Sequence, residues 1–196
     1  MSRIVVFCGS SAGSDPAWRA AADELGTEIG RRGHELVYGG GHVGLMGAVA
    51  DAAVAAGARV TGVITEQLVG LELAHGGLSE LVVEPSMHAR KARMAESADA
   101  VIVLPGGFGT YEEAFEILTW NQLGIVSVPV VFLDVGGFYA PLLEFVASAA
   151  DAGFVRPEHA DLARRAATVG EALDEADRPG DAHVAKWVTP PTRPAG

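Results

Sequence analysis

Residues 105–113 read Pro-Gly-Gly-Phe-Gly-Thr-Tyr-Glu-Glu, directly behind the apolar run Ala100-Val101-Ile102-Val103-Leu104. A short run rich in Val and Ile reads as a buried strand. The glycines let the backbone turn and approach a ligand closely. The helix that follows offers free backbone N–H groups to an anion. The chemistry this predicts is phosphate binding. Glu112, Glu113 and Glu116 add a second element. Carboxylates at a helix start often only offset its dipole, but beside a phosphate cradle they repel the ligand unless they act on it. Adjacent helical residues point about 100° apart, so one of Glu112 and Glu113 can face the ligand while the other pairs or packs. Glu116 can share a face with either.

Cations cluster in one place. Met87-His88-Ala89-Arg90-Lys91-Ala92-Arg93 carries three fixed positive charges within four positions, just ahead of the same strand. The planar fork of Arg90 suits a phosphate or a carboxylate; a solvated basic helix face is the alternative. Lysine is scarce, with only Lys91 and Lys186, so imine chemistry on pyridoxal phosphate has only Lys91 beside the predicted site. Gly39-Gly40-Gly41-His42-Val43-Gly44 satisfies G-x-G-x-x-G between a strand and a helix. A dinucleotide site also wants an acid about 20 residues on, and Arg59-Val60-Thr61-Gly62-Val63-Ile64 holds none. These glycines therefore predict close helix–sheet packing or a lid over a mononucleotide. No G-x-x-x-x-G-K-[ST] occurs, which excludes a P-loop nucleotidase. His34, His42, His75, His88, His159 and His183 are scattered along the chain, so no metal is expected. Tyr111 and Trp120 suit either core or an aromatic wall of the site.

The elements that must position these residues alternate. Strands are expected over 4–8, 35–38, 59–64, 81–84, 100–104 and 128–133, with helices over about 16–32, 44–56, 87–97, 111–123 and 138–152. A last strand and helix fall within 162–169 and 171–176, and 65–77 reads as irregular. Asp15-Pro16 and Ser86 are predicted helix starts. This alternation predicts an α/β fold: a single Rossmann-like domain over residues 1–177 with a doubly wound, mainly parallel sheet. Ligands of such sheets bind beyond the strand C-termini. Three small-residue loops, 9–14, 39–47 and 105–110, can converge there. From residue 178 the chain turns Pro- and Gly-rich, and 178–196 is expected to be a disordered tail.

The chain has 196 residues and a formal net charge of −11. That charge argues against a nucleic-acid polymer or an anionic membrane surface as partner, though not against a small phosphorylated ligand. No window approaches the roughly 18–20 apolar residues of a membrane span. Cys8 is the only cysteine, and the N-terminus runs straight into a strand, so a cytoplasmic location is expected. Cys8 itself reads as a small core residue rather than a nucleophile.

Taken together, 87–91 (Met-His-Ala-Arg-Lys) and 105–113 resemble the signature pair of the LOG family, the cytokinin-activating phosphoribohydrolases often mislabelled as possible lysine decarboxylases. Cys8-Gly9-Ser10-Ser11, Tyr38–Gly41 with Gly44–Gly47, and Leu118–Gly124 are similar to that family as well, so the resemblance spans roughly residues 4–170. It implies a Rossmann-like fold, usually a homodimer, with sites near the dimer interface. It also implies hydrolysis of nucleoside 5′-monophosphates, N6-substituted adenines favoured, to free base and ribose 5-phosphate, with no cofactor. The implied catalytic pair is Arg90 and Glu113. The implied substrate contacts are Glu72, Lys91, Gly106, Gly107, Phe108, Gly109, Thr110, Tyr111, Glu112 and Thr119. The chemistry is sensible: cleavage of an N-glycosidic bond builds positive charge on the ribose, which a carboxylate such as Glu113 can stabilise while or instead of taking a proton from water. Arg90 cannot be a proton donor, because a guanidinium does not deprotonate in proteins. Two other readings compete. One is a non-catalytic nucleotide or cofactor carrier, like the molybdenum-cofactor carriers that share the Pro-Gly-Gly loop; the other is the decarboxylase of the old label.

Overall fold

The computed structural model describes residues 1–69 and 74–180; Glu72 and most of the expected tail, 181–196, lie outside the described residues. Seven strands form one parallel sheet: β1 Arg3–Phe7, β2 Glu35–Tyr38, β3 Val60–Thr65, β4 Glu80–Glu84, β5 Ala100–Val103, β6 Val130–Leu133 and β7 Ala163–Ala166. The helices are α1 Pro16–Arg31, α2 Gly44–Ala55, the one-turn α3 Glu66–Val69, α4 Met87–Ser97, α5 Phe108–Leu123, α6 Ala140–Asp151, the one-turn α7 Pro157–Ala160 and α8 Val169–Ala176. The expected α/β class is what the chain adopts. The two one-turn helices fall in stretches too short for a helical period to show.

The central strands β1, β5 and β6 read as nearly unbroken apolar runs because both sheet faces are covered there, whereas the edge strands β4 and β7 carry charged residues. Alternate residues divide between two cores. Ile4 and Val6, with Leu36, Ile102 and Val131, pack beneath α1, α2 and α8. Val5 and Phe7, with Val37, Val101, Val103 and Phe132, pack with Met94 of α4 and Ala114 and Ile117 of α5. Each fully buried aliphatic side chain contributes about 1.5–3 kcal/mol, so a one-residue register slip would move every such residue to the wrong layer.

The strand order is β4-β3-β2-β1-β5-β6-β7. The chain steps outward from β1 to β4, and α4 carries it back along the sheet to lay β5 beside β1. That reversal leaves a crevice beyond the C-terminal ends of β1 and β5, where open α/β sheets bind ligands. The expected loop convergence occurs there. The N–H of Gly9 donates to the Pro105 carbonyl at 3.0 Å, and the N–H of Leu45 to the Gly9 carbonyl at 3.0 Å. Gly44 shows what the second glycine cluster does. Its φ is +60°, and a Cβ there would lie 2.3 Å from the Ser10 backbone. The G-x-G-x-x-G stretch is thus used for close packing of the α2 start on the first loop.

Tyr139 pins the end of β5. Its hydroxyl donates to the Leu104 carbonyl at 2.6 Å, and its N–H donates to Asp134, whose carboxylate also pairs with Arg165 at 2.6 Å. Phe132 and Phe138 meet its ring edge-on, at 5.0 and 4.9 Å. Tyr139→Phe keeps the packing and removes one buried donor. It should lower stability by about 1–2 kcal/mol, read as a lower urea midpoint at unchanged slope.

Candidate active site

The site begins with two helix starts. Ser86 caps α4, its hydroxyl accepting the Ala89 N–H at 3.2 Å, as its residue type predicts. This sets the rotation of α4 so that Arg90 and Lys91, one turn in, point beneath the crevice and are buried. The second start differs from expectation. Helix α5 begins at Phe108 with Gly107 as its cap, three residues ahead of the expected Tyr111. Phe108, Gly109 and Thr110 therefore form the first turn, and their N–H groups are the free donors. Glu112 and Glu113 consequently lie in the second turn, with no acid in the first. Relief of the helix dipole acts mainly within the first turn, so it does not account for them.

Gly106 lets this turn close. A Cβ there would sit 2.1 Å from the Thr110 hydroxyl and 2.9 Å from the Gly9 nitrogen. The crevice above is a cleft of about 300 Å3 lined by Cys8, Gly9, Ser10, Met46, Leu68, Met87, Arg90, Gly107, Phe108, Gly109, Thr110, Glu112 and Glu113. A second lobe of about 310 Å3 shares Gly9, Ser10 and Gly107 and continues past Gly106 to Trp18 and Phe138. The apolar lining from Met46, Leu68 and Met87 carries no sequence signal separating it from ordinary core.

Arg90 and Glu113 meet at the cleft floor. Nη1 of Arg90 donates to Glu113 Oε1 at 2.9 Å, Nε to the Val63 carbonyl at 2.9 Å, and Nη2 to the Gly39 carbonyl at 3.4 Å. Both side chains are nearly buried, at 8% and 12% exposed. The expected fork of Arg90 is thus directed at a carboxylate and two backbone carbonyls, one within β3 and one just after β2. Burial raises the Glu113 pKa above the ordinary glutamate value; the Arg90 charge pulls it back in part, and Glu112 pushes it further up. Cys8 lies close by. Burial and the Glu113 charge push its thiol far above the usual range, which makes it an inert wall residue.

Lys91 pairs with Glu112 and, at 3.1 Å, with Glu116. Burial draws its ammonium toward neutrality, but hydrogen bonds and charges of the two carboxylates win and leave the pKa raised. An imine-forming lysine needs the opposite shift.

A family model described as "Possible lysine decarboxylase" matches residues 46–176. The chain is 49% identical over 163 residues to cytokinin riboside 5′-monophosphate phosphoribohydrolase LOG7 of Arabidopsis thaliana, covering 83% of this chain and 73% of that protein. It is 44% identical over 181 residues to the probable cytokinin riboside 5′-monophosphate phosphoribohydrolase LOGL2 of Oryza sativa subsp. japonica, covering 92% and 74%. The chain belongs to the LOG family. A solved structure of the molybdenum cofactor carrier protein from Chlamydomonas reinhardtii is also similar, with TM-score 0.67 and 26% identity over 88% of this chain and 94% of that one.

The residues that the LOG resemblance implies fall into three groups. Arg90, Glu113, Glu112, Gly107, Phe108, Gly109 and Thr110 line the cleft, with Gly106 beneath its loop. Phe108 stands at the mouth, 92% exposed. Lys91 and Tyr111 line neither lobe; Lys91 sits behind Glu112, and Tyr111 packs edge-on against Tyr139 at 6.4 Å. Thr119 lies farther away. It is nine residues beyond Thr110, about 14 Å along the helix axis, in a separate apolar groove with Phe115, Leu118 and Phe145. The scatter of histidines also needs correcting: the fold gathers His42 and His75 around Asp51. Sequence reasoning missed the Gly39 and Val63 carbonyls that hold Arg90, because backbone acceptors have no sequence signature.

Arg90→Met leaves a buried carboxylate without its cation. It should cost about 3–5 kcal/mol at pH 7, and because burial raises the Glu113 pKa, urea denaturation should show the deficit shrinking as pH falls and the stranded carboxylate is neutralised.

Proposed function

We propose that this protein hydrolyses the N-glycosidic bond of adenosine 5′-monophosphates, N6-substituted ones included, releasing the free base and ribose 5-phosphate. The observation that carries the reading is the buried Arg90–Glu113 pair, one helical turn beyond the free N–H groups of 108–110, in a chain of the LOG family. The phosphate takes the α5 N-terminus, where backbone donors and the helix dipole favour an anion. The ribose then reaches toward the Glu113 carboxylate. As the C1′–N bond breaks, the carboxylate stabilises positive charge on the sugar and takes a proton from the water that adds to C1′, while the departing ring nitrogen takes up a proton from solvent and leaves as the neutral base. Arg90 holds Glu113 in position and offsets its charge in a cleft too dry to solvate it. The raised pKa makes Glu113 a stronger base than an exposed glutamate.

The test is chromatographic release of free base from adenosine 5′-monophosphate and isopentenyladenosine 5′-monophosphate. Wild type should release base, and Glu113→Gln should lower kcat by about 100-fold or more. Because the carboxylate form is required, the rate should fall as pH drops, with an apparent pKa above the ~4.3 of free glutamate. Two substrates that bind without releasing base would put the carrier reading in its place. The decarboxylase reading is disfavoured by the firmly charged Lys91.

We further infer that two copies pair across the groove of α5 and α6. Phe145 is 70% exposed beside Phe115 and Leu118, and Phe154, 88% exposed, follows α6. Thr119, which the resemblance assigns to substrate, lies in this groove and not in the cleft of its own chain. A site near a dimer interface accounts for that displacement. Phe145→Glu should convert a dimer to a monomer in size-exclusion chromatography with light scattering; a monomeric wild type would remove this part of the reading.

A further inference from the structure

Among the described residues outside the cleft, one cluster of side chains could hold a metal ion. His42 follows β2, Asp51 lies on α2, and His75 ends the segment that approaches β4. One ligand atom from each lies within 4.8 Å of the other two. Nε2 of His75 is 2.8 Å from Oδ1 of Asp51. The two imidazole rings meet edge-on at 5.1 Å and 75°. Backbone contacts hold the third segment in place: Gly41 bridges Ala74, and the His75 N–H donates to the Gly40 carbonyl at 3.3 Å.

We propose that His42, Asp51 and His75 form a binding site for a divalent transition metal such as zinc. Two imidazoles and one carboxylate are a zinc donor set, and three protein ligands leave a fourth position open to water. Ligand atoms sharing one zinc ion stand roughly 3.4 Å apart at bond lengths of about 2.1 Å, so the set is gathered when the His75–Asp51 pair opens from 2.8 Å and exposed His42 swings in by about an ångström. His42 and Asp51 are exposed while His75 is buried, which gives the ion an entry path and one fixed anchor. Tyr38 lies near: its buried hydroxyl has no hydrogen-bond partner among the described residues, and burial first, then the charges of Cys8 and Asp51, raise its pKa. A cation beside Asp51 relieves that charge.

The proton on His75 must also move. The Gly77 N–H donates to Nδ1 of His75 at 3.1 Å, so in the metal-free chain the proton of neutral His75 sits on Nε2 and faces Asp51. Metal at Nε2 moves that proton to Nδ1, which then needs an acceptor. Turning the peptide between Gly76 and Gly77 exchanges the Gly77 N–H for the Gly76 carbonyl. No side chain on either residue obstructs the turn. This supplies the outer hydrogen bond that metal-bound histidines use.

The experiment titrates the full chain, stripped with chelator, with Co2+ followed by absorption and with Zn2+ by calorimetry. One equivalent should bind, with a visible d–d band that Zn2+ abolishes. His42→Ala, Asp51→Asn and His75→Gln should each weaken binding by about tenfold or more, while His88→Ala leaves it unchanged. His42 and Asp51 are exposed, so their variants should keep the wild-type melting temperature without metal and can decide the question even if His75→Gln fails to fold. Absence of saturable binding, or binding equal in the His42 and Asp51 variants, overturns the proposal and marks any retained ion as adventitious. None of these readouts depends on phosphoribohydrolase activity.

Discussion

A carboxylate can be kept in a dry cleft only if a cation and its hydrogen bonds are built in with it, and that constraint organises this molecule. Glu113 is nearly buried, and Arg90 meets it from a different helix. The Arg90 guanidinium is itself buried, so its remaining N–H groups need acceptors. The residue after β2 and the body of β3 provide them through the Gly39 and Val63 carbonyls. Four elements must therefore arrive in register before the pair can form. Strand order does most of this, because α4 crosses beneath β1 to β4 on its way to β5 and carries Arg90 under the carbonyls that accept its protons.

The same cleft joins two electrostatic demands that oppose each other. An anion is favoured at the α5 N-terminus, and a carboxylate nearby repels it. Starting α5 at Phe108 resolves the conflict by one turn of helix. The free N–H groups belong to 108–110, and the carboxylates follow in the second turn. Glu112 is further compensated by Lys91, which also holds Glu116. Glu113 is thus paired by Arg90, Glu112 and Glu116 share Lys91, and the α5 N-terminus carries no acid in its first turn.

Most of the fold was legible because its signal is local. Apolar runs, glycines closing helices and capping residues such as Ser86 are set by neighbours in sequence, so the strands lie within a residue or two of their expected places. The α5 start was not legible, because Phe108-Gly109-Thr110 has poor helix propensity and is fixed by Gly107 and by the Thr110 packing against Gly106. In the site, residue types pointed to Arg90, Glu113 and the glycine loop. They could not show that the Arg90 fork would be occupied by protein acceptors, or that Thr119 would face another groove. Those facts depend on which strands become neighbours. The histidines make the same point: 33 positions separate His42 from His75, and only the return of the chain alongside β2 brings them together.

Fold alone leaves the activity open, since similar folds serve unrelated functions. A structure of 26% identity and nearly complete overlap is that of a molybdenum cofactor carrier protein, and a carrier has use for a glycine loop at a helix N-terminus. It has no use for a carboxylate whose pKa burial has raised, set one turn beyond the free N–H groups of α5 and braced by a buried arginine. Such a group destabilises an anion's ground state and is costly to keep. It becomes favourable only when positive charge develops next to it, as on a ribose losing its base. The cost of burying Glu113 is thus the physical argument for chemistry in this cleft, and it holds whatever the N6 substituent of the substrate.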